Sequence, residues 1–523
     1  GKNLALIEES DSFLIENSVF KDTSSGDYGV YIRNTDSAIF KFNTILNSAS
    51  DSSSDFGSIY LTSSSSNSIL NNTITNSGRT GIHLKSSSND NKIYGNTVSS
   101  SYLHGLYVQS SDSALIRNNT FSSSSIYGIK ISSSDTVVVD NNTLSSNSNY
   151  GLYISSADEV IIKSNAISDN QAGIYITGSD DAILSLNSID DQTTYGVYLA
   201  DSKRAKIKQN TIKNSQSDAL VLSSNCDNAY IDNNTIKNNG LTNSGRAVKL
   251  YEVDNTVLYN NSITSNEYTG ISITASSNNK IIQNIIKGNG KYGIHISNDF
   301  TKSANNTIKS NTINDNEDHG LYVAGIYTDI LSNTIKYNEE DGIHILDAGS
   351  RTTIQQNTII DNEGNAIHVL SNHVSIKLNT IDGDTSEMAI LLNTAGSASV
   401  TNNTIEGGSQ GIKVQNSTNV FIYNNTVKSN SGYGIYLLLN SHSAEIKSNT
   451  VKDNEDDAIY LVSSNSADIA DNIIEDNNGY GIFAQTSKLI EFKSNTLTEN
   501  DGGVKFSDCD YCNLTSMTIT DNG

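Results

Sequence analysis

The sequence of 523 residues has no proline, no tryptophan and only three cysteines. A chain of this length would hold about 26 prolines at the usual frequency of roughly 5%. Proline lacks the backbone N–H that a β-sheet uses for hydrogen bonding. Its absence therefore indicates one continuous architecture rather than several domains joined by ordinary linkers. Three cysteines are too few for a framework of disulfides.

Positive charge is also scarce. Lys and Arg number 33 and Asp and Glu number 57, which gives a formal net charge of -24. Such a chain repels phosphate backbones, so we expect no nucleic-acid partner, whereas divalent metal ions are compatible with it. No apolar stretch approaches the roughly 18 residues of a membrane-spanning helix, so no membrane span is predicted.

The sequence does contain one short repeat, copied along its whole length. The triplet Asn-Thr-Ile, or a close variant, returns about every 24 residues from Asn17 to Asn495. Two further apolar alternations complete each copy: Gly-Ile-x-Ile, as at residues 151–154, and Val-x-Ile, as at residues 160–162. Such alternations, bounded by Ser, Asn, Asp and Gly, predict three short β-strands per copy.

These strands cannot pair as hairpins, because the turns lack the regular Asn-Gly or Asp-Gly pair. Stacking each strand on its equivalent one copy later satisfies the backbone instead. The sequence therefore predicts an all-β fold, a single parallel β-helix of about 22 turns with three parallel sheets over residues 1–523.

The repeated asparagine has a structural role in this arrangement. At a tight turn its side chain can bond local backbone, and it tolerates the left-handed region. Stacked amides also bond the asparagine above and below. We expect such a ladder at one turn, with these clear members: Asn119, Asn142, Asn165, Asn187 and Asn210.

With these units, the chain resembles the right-handed parallel β-helix superfamily, the pectate-lyase-like fold, and most of all the NosD-type repeats of secreted and archaeal surface proteins. The resemblance implies a right-handed coil and an extracellular or cell-surface location. Its members include polysaccharide lyases, hydrolases, epimerases, phage tailspikes, adhesins and surface-layer components, so it leaves the function open.

The middle residue of Gly-Ile-x-Ile faces outward and forms a column that begins at Ala5 and is rich in tyrosine. One interpretation is that tyrosine suits an exposed parallel sheet and stacks on its neighbours. The other is a face that contacts sugar rings or a surface protein. The best candidates for such a face are Tyr153, Tyr175, Tyr198, Tyr436 and Tyr460.

The same column brings His344 and His368 onto adjacent turns, with acidic residues close in sequence. Imidazoles with a carboxylate suit Zn or Cu, so a metal site is one hypothesis and a solvated histidine row is the other. Stacked acidic loops could also bind Ca²⁺, or form a solvated acidic face, although no dedicated calcium motif is present. The metal candidates are Asp315, Asp318, Glu340, Asp341, His344 and His368.

Two kinds of covalent modification are predicted. Cys509 and Cys512 could form a local disulfide in an oxidising compartment. Asn-x-Ser/Thr sequons could carry glycans on a secretory route. Those sequons begin at Asn71, Asn118, Asn141, Asn233, Asn260, Asn305, Asn402, Asn416, Asn424 and Asn513.

The function that we expect from the sequence is a structural or adhesive rod that binds carbohydrate or protein. The outward column has no Asp or Glu, and the repeat lacks the long loops that form an enzyme cleft. A carbohydrate-active enzyme is the competing class. Because no caps are evident at either end, we expect a segment of a longer chain or a subunit that self-assembles.

Overall fold

The computed structural model describes residues 3–22, 28–48, 56–242, 244–298, 303–383 and 387–523. These residues form two compact units, Gly1–Ser262 and Ile263–Gly523. The described chain contains β-strands and no helix, and its strands follow one another in groups of three. This is the right-handed parallel β-helix of about 22 turns and three parallel sheets that the sequence predicts.

The first sheet of each unit carries the outward columns and has the longest strands. In the first unit its strands are Ala5–Glu8, Val30–Arg33, Gly57–Thr62, Thr80–Lys85, His104–Gln109, Tyr127–Ser132, Tyr150–Ser155, Ala172–Thr177, Val197–Ala200, Leu220–Ser223 and Val248–Tyr251. In the second unit they are Ile271–Thr274, Ile294–Ser297, Leu321–Val323, Ile343–Ile345, Ile367–Val369, Ile390–Asn393, Ile412–Gln415, Ile435–Leu438, Ile459–Val462, Tyr480–Lys488 and Gly502–Asp510.

The second and third sheets consist of three-residue strands. In the first unit the second sheet runs from Leu14–Glu16 to Val257–Tyr259, and the third from Val19–Lys21 to Thr235–Lys237. In the second unit they run from Lys280–Ile282 to Asn513–Thr515 and from Ile285–Lys287 to Thr518–Thr520. Ser262–Thr264 contains the boundary between the units.

Each turn buries apolar side chains from all three sheets. Leu152 and Ile154 come from the first sheet, Ile162 from the second and Ile167 from the third, and each is at most 1% exposed. The strands alternate because every second side chain points inward. The core is therefore a column of aliphatic layers, one layer per turn.

The predicted asparagine ladder is confirmed. The backbone N–H of Asn142 donates to Oδ1 of Asn165 (2.9 Å), and its side-chain amide donates to the same oxygen (3.0 Å) and to the carbonyl of Ile116 (2.9 Å). Asn119, Asn165, Asn187 and Asn210 repeat this pattern with their own neighbours. These buried amides satisfy backbone groups at a turn where the sheets cannot do so.

The left-handed backbone lies one residue before the ladder, which differs from expectation. Asn141 has a φ of 54° and Ser164 a φ of 56°, whereas the ladder residues Asn142 and Asn165 are not in this region. In the first turn the register is also displaced by one residue. Ser18, not Asn17, bonds to Oδ1 of Asn43, and Leu6, not Ala5, pairs with Tyr31.

A second ladder, five residues after the first, is a feature that the sequence analysis did not assign. The backbone N–H of Asn147 donates to Oδ1 of Asn170, at 3.0 Å, and Asn170 in turn donates to Oε1 of Gln192, at 3.1 Å. Glycine accompanies it: a Cβ on Gly151 would lie 2.7 Å from Ile167 and 2.9 Å from the carbonyl oxygen of Gly173. The position therefore takes a small residue, which is glycine on most turns and alanine on others, as at Ala219 and Ala366.

Candidate functional site

Two columns of side chains, not one, lie on the outer face of the first sheet. The predicted outward column is confirmed in register, since Tyr153 pairs with Tyr175 and Tyr175 with Tyr198. A neighbouring column lies three residues earlier in each turn and includes Tyr150, His319 and Asp341. Together the columns build two different surfaces.

In the first unit the columns form what we call the tyrosine stack: Tyr127, Tyr150, Tyr153, Tyr175 and Tyr198. Ring centroids of Tyr175 and Tyr198 are 5.0 Å apart with parallel planes, and those of Tyr127 and Tyr153 are 4.9 Å apart at 10°. The pKa of Tyr175 is raised mainly by burial and to a smaller extent by repulsion from neighbouring tyrosines. The rings therefore cover one another's faces, and each side chain is half-buried.

The hydroxyl groups of this stack differ from those of two other tyrosines on the first sheet, Tyr107 and Tyr460. Tyr107 exchanges a hydrogen bond with Oγ of Ser132, and the hydroxyl of Tyr460 donates to Oε1 of Gln485 at 2.7 Å. Within the described residues, the hydroxyls of Tyr153, Tyr175 and Tyr198 have no such partner in the protein. The stack thus presents free donors and acceptors on successive turns.

The predicted residues Tyr436 and Tyr460 form a smaller aromatic group in the second unit. Their centroids are 5.3 Å apart at 7°, and Phe483 continues the group at 4.8 Å from Tyr460. Tyr433, in the neighbouring column, lies 4.9 Å from both tyrosines. Burial, together with Asp456 and Asp457, raises the pKa of Tyr433 to about 12.

Elsewhere in the second unit the same two columns line a cavity of about 460 Å³ that is open to solvent, which we call the histidine cavity. Its walls come from four neighbouring turns and are mainly imidazoles and carboxylates. They consist of His319, Glu339, Glu340, Asp341, His344, Glu363, Gly364, Asn365, His368 and Glu387.

The carboxylate of Asp341 is at the centre of this cavity. Its Oδ2 lies 2.7 Å from Nδ1 of His344 and 3.3 Å from Nδ1 of His368. Its Oδ1 accepts the backbone and side-chain N–H groups of Asn365, at 2.6 and 2.7 Å. Burial alone would raise the pKa of Asp341, but the hydrogen bonds from His344, His368 and Asn365 outweigh burial and hold that pKa well below its usual range.

His319 closes one side of the cluster. Its Nδ1 accepts the backbone N–H of Asp341 at 2.9 Å and lies 3.7 Å from Oδ2 of the same residue. Burial lowers the pKa of His319, although attraction to Asp341 opposes the shift. Its ring centroid is 4.6 Å from that of His344, so it also limits the rotation of that imidazole.

The charge of the cavity is strongly negative. Five carboxylates line it, and no lysine or arginine does so among the described residues. Burial and repulsion from Asp318, Asp341 and Glu363 raise the pKa of Glu340. A cation, rather than an anion, matches this environment.

The structure brings together most, but not all, of the predicted metal candidates. Glu340, Asp341, His344 and His368 all line the cavity. Asp318 contacts it only through His319, whose Nε2 is 3.6 Å away. Asp315 is not part of the cavity and instead pairs with Lys287 at 3.2 Å.

Sequence reasoning overlooked the role of Asn365, which fixes the central carboxylate. Asn365 lies two residues before the strand Ile367–Val369, and Asp341 lies two residues before the equivalent strand, Ile343–Ile345, one turn earlier. Reading the residue before Gly-Ile-x-Ile as a second outward column would have placed Tyr150, His319, Asp341 and Asn365 together. The glycine that follows most of these positions could have identified this column in the sequence, because it marks where the backbone turns.

The predicted modification sites are accessible in the structure. Cys509 and Cys512 are joined by a disulfide, with Cα atoms 6.0 Å apart. Asn118 is half-buried and the other sequon asparagines are exposed. All of them except Asn513 have a positive φ, because they take the left-handed position before a ladder or turn residue. Glycosylation stays a prediction.

Within the described residues, the structure has no helix long and apolar enough to cross a membrane.

Among solved structures, the chain is similar to the periplasmic alginate epimerase AlgG, with 16% identity over 61% of this chain and 77% of that chain and a TM-score of 0.39. It is also similar to the A-module of the Azotobacter vinelandii mannuronan C-5 epimerase AlgE4, with 12% identity, 70% and 89% coverage and a TM-score of 0.37. Full-length tailspike protein 2 of the Escherichia coli O157:H7 bacteriophage CAB120 gives 12% identity, 51% and 38% coverage and a TM-score of 0.33. Similarity at this level carries no argument about the chemistry of this chain.

No curated protein sequence matches the chain significantly. The family model described as "Right handed beta helix region" matches residues 3–167, 104–248, 172–325, 241–381 and 370–522. These overlapping matches cover nearly the whole sequence. The chain therefore belongs to the family of right-handed β-helix proteins.

Proposed function

We propose that this protein is an extracellular, structural or adhesive β-helix that binds neutral carbohydrate along the tyrosine stack. The observation that carries the proposal is the row of tyrosine hydroxyls at Tyr153, Tyr175 and Tyr198, which stack on successive turns without a protein partner. A tyrosine presents a rigid apolar ring and a polar tip, and it costs little conformational entropy on binding.

The geometry favours contact through the hydroxyl edges rather than through the ring faces. The faces are covered by neighbouring rings at 5.0–5.7 Å, so a sugar cannot stack between them. A polysaccharide lying along the stack would instead exchange hydrogen bonds with one hydroxyl per turn. The net charge of -24 disfavours an anionic polysaccharide, so a neutral chain is the better match.

Two features support an extracellular location for this role. The disulfide Cys509–Cys512 is of the kind that persists in oxidising compartments. The exposed sequon asparagines offer attachment points for glycans on a secretory route.

The proposal is tested by affinity electrophoresis or calorimetry with a panel of neutral and uronic-acid polysaccharides. The combined variant Tyr153→Phe, Tyr175→Phe and Tyr198→Phe keeps the stacked rings and removes only the hydroxyls. We expect it to lose binding of a neutral polysaccharide by about tenfold or more, because each lost hydrogen bond contributes about 0.5–1.5 kcal/mol.

The matched control is Tyr230→Phe, which changes an exposed tyrosine on the second sheet and should leave binding unchanged. Unchanged binding in the triple variant would refute the proposed contact. If the chain bound a surface protein but no polysaccharide, the ligand of the tyrosine stack would be a protein and not a carbohydrate.

A carbohydrate-active enzyme is the second candidate, and the histidine cavity is the observation that favours it. A carboxylate that orients an imidazole, as Asp341 does with His344 at 2.7 Å, is an arrangement used for general acid–base catalysis. Incubation with the same polysaccharides would then produce new reducing or unsaturated ends, and His344→Gln would abolish them. Intact polysaccharides after incubation with the unaltered protein would exclude this candidate for the panel.

A further inference from the structure

We propose that the histidine cavity binds one divalent transition-metal ion, with the imidazoles of His344 and His368 and the carboxylate of Asp341 as its ligands. The proposal concerns the second unit alone and does not depend on carbohydrate binding by the tyrosine stack.

The two imidazoles already lie around one carboxylate oxygen. Nδ1 of His344 and Nδ1 of His368 lie 2.7 and 3.3 Å from the same oxygen, Oδ2 of Asp341. Two ligands on a tetrahedral zinc ion with bonds of about 2.0–2.1 Å are separated by about 3.3 Å. Asp341 and His344 thus offer two donors at close range, and rotation of the His368 side chain would add the third.

The fold holds the three groups in this arrangement. His344 and His368 are register partners on adjacent turns, and their ring centroids are 4.6 Å apart. Asp341 lies three residues before His344, and Asn365 fixes its Oδ1 through two N–H groups at 2.6 and 2.7 Å. Those bonds leave Oδ2 as the oxygen that faces the histidines, which is the outer-shell support that metal ligands usually have.

His319 is assigned a supporting role, although one of its ring nitrogens lies within 4.8 Å of donor atoms of Asp341 and His344. Its Nδ1 lone pair accepts the backbone N–H of Asp341 at 2.9 Å, and its ring packs against His344. It thus limits the rotation of the His344 ring and covers one side of the cluster.

The donor set and the charge select the class of ion. Two imidazoles with one carboxylate suit Zn²⁺ and other first-row transition metals, whereas Ca²⁺ prefers six to eight oxygens. Glu340, Glu363 and Glu387 line the same cavity and provide negative charge and further oxygen donors for the open coordination positions. This assignment narrows the six predicted candidates to three ligands. Asp315 and Asp318 lie outside the cavity, and Glu340 lines it without being one of the three.

The test titrates the whole chain, stripped of metal, with Zn²⁺ by calorimetry and with Co²⁺ by visible absorption, in the presence of excess Ca²⁺. We expect about one tight site per chain that Ca²⁺ does not displace, and a Co²⁺ spectrum typical of nitrogen ligands. His344→Tyr and His368→Tyr should each weaken Zn²⁺ binding by about 100-fold. Tyrosine occupies this repeat position on other turns, so both variants should fold; His344→Gln is the alternative.

The control is His373→Asn, which removes a histidine outside the cavity at a left-handed position that asparagine tolerates. It should bind Zn²⁺ as the unaltered chain does. The proposal would be overturned if either histidine variant bound Zn²⁺ as tightly as the unaltered chain, if Ca²⁺ displaced Zn²⁺, or if the unaltered chain had no tight Zn²⁺ site.

Discussion

The tyrosine stack in the first unit and the histidine cavity in the second unit occupy the same two positions of the repeat. In the first, Tyr150 and Tyr153 fill the two columns of one turn; in the second, Asp341 and His344 do so. Large flat rings cover each other at 4.9–5.9 Å and leave little space between turns. The smaller side chains of the second unit converge on a carboxylate and leave a cavity.

The comparison shows that the fold determines where each side chain lies on the surface, whereas the type of side chain determines what that surface can bind. Turns of a parallel sheet repeat at about 4.8 Å, which is close to the stacking distance of aromatic rings. A column of tyrosines is therefore stable by itself. In the histidine cavity, by contrast, the imidazoles bond to the carboxylate of Asp341, and the groups that these bonds leave free can contact a ligand. The following predictions test whether the two regions differ only in this way.

The largest effect is expected from the asparagine ladder, which in each unit lies at the turn between the second and third sheets. Asn165→Ala removes the acceptor of the Asn142 N–H (2.9 Å) and the donor to the Val139 carbonyl (2.9 Å). Asn357→Ala does the same to Asn333 and Ile330 in the second unit. Each should lower the free energy of unfolding by about 3 kcal/mol, because buried backbone groups lose their partners. Urea denaturation followed by circular dichroism measures both; clearly unequal losses would show that the two frameworks differ.

The next effect should appear only in the histidine cavity. Asp341→Ala leaves the Asn365 N–H groups and two imidazoles without their acceptor, and should cost about 2 kcal/mol. Glu339→Ala, at the edge of the same cavity, is the control and should change the free energy of unfolding by less than about 0.5 kcal/mol. A negligible loss in Asp341→Ala would mean that the carboxylate does not organise the cavity.

A smaller effect is expected in the tyrosine stack. Tyr175 packs against Tyr150 and Tyr198, with both centroids 5.0 Å away. Tyr175→Ser should lower the free energy of unfolding by about 1.5 kcal/mol, since each aromatic pair contributes about 0.5–1.5 kcal/mol. Tyr175→Phe keeps the ring, so thermal denaturation should find it close to the unaltered chain. Equal destabilisation by both variants would place the stabilising interaction in the hydroxyl instead.

The smallest effect is confined to alkaline pH. Burial raises the pKa of Tyr175, and that of Tyr433 to about 12, so the folded state disfavours tyrosinate. The stabilisation is fully present below the unfolded pKa of about 10 and is lost as pH rises through the raised values. The Tm should therefore fall between about pH 10 and 12, and less so in Tyr433→Phe. Tyrosinate absorbance measured in parallel isolates Tyr433 as the difference between the unaltered chain and Tyr433→Phe. That difference should have its midpoint near pH 12, and a midpoint near pH 10 would contradict the shift.

Much of the fold could be predicted because each copy of the repeat has the same pattern of apolar residues, asparagine and glycine. Tyr153, Tyr175 and Tyr198 occupy the predicted column, and His344 and His368 are adjacent as expected. The second ladder at Asn147 and Asn170 was overlooked, although its asparagines recur at a fixed spacing. The displaced register of Ser18 and Leu6 could not be read from the triplet, because the first copy departs from the pattern.

The cavity was harder to predict than the columns. Asp315 and Asp318 looked equivalent to Asp341 in the sequence, but only Asp341 has its carboxylate next to both histidines. Sequence spacing gives the turn on which a residue lies, whereas the direction of its side chain depends on the local backbone. Asp315 has a φ of 54° and turns towards Lys287, away from the cluster.

The sequence by itself determined the periodicity, the three strands per turn, the asparagine ladder and the outward column, because a strand alternates strictly and a repeat reproduces its neighbours. Only the tertiary structure decided which side chains of different turns meet. It brought the N–H groups of Asn365 into hydrogen bonds with Asp341. It also stacked the tyrosine rings face to face and left their hydroxyl groups without a protein partner. These contacts depend on side-chain direction and on packing between turns, which a one-dimensional pattern does not record.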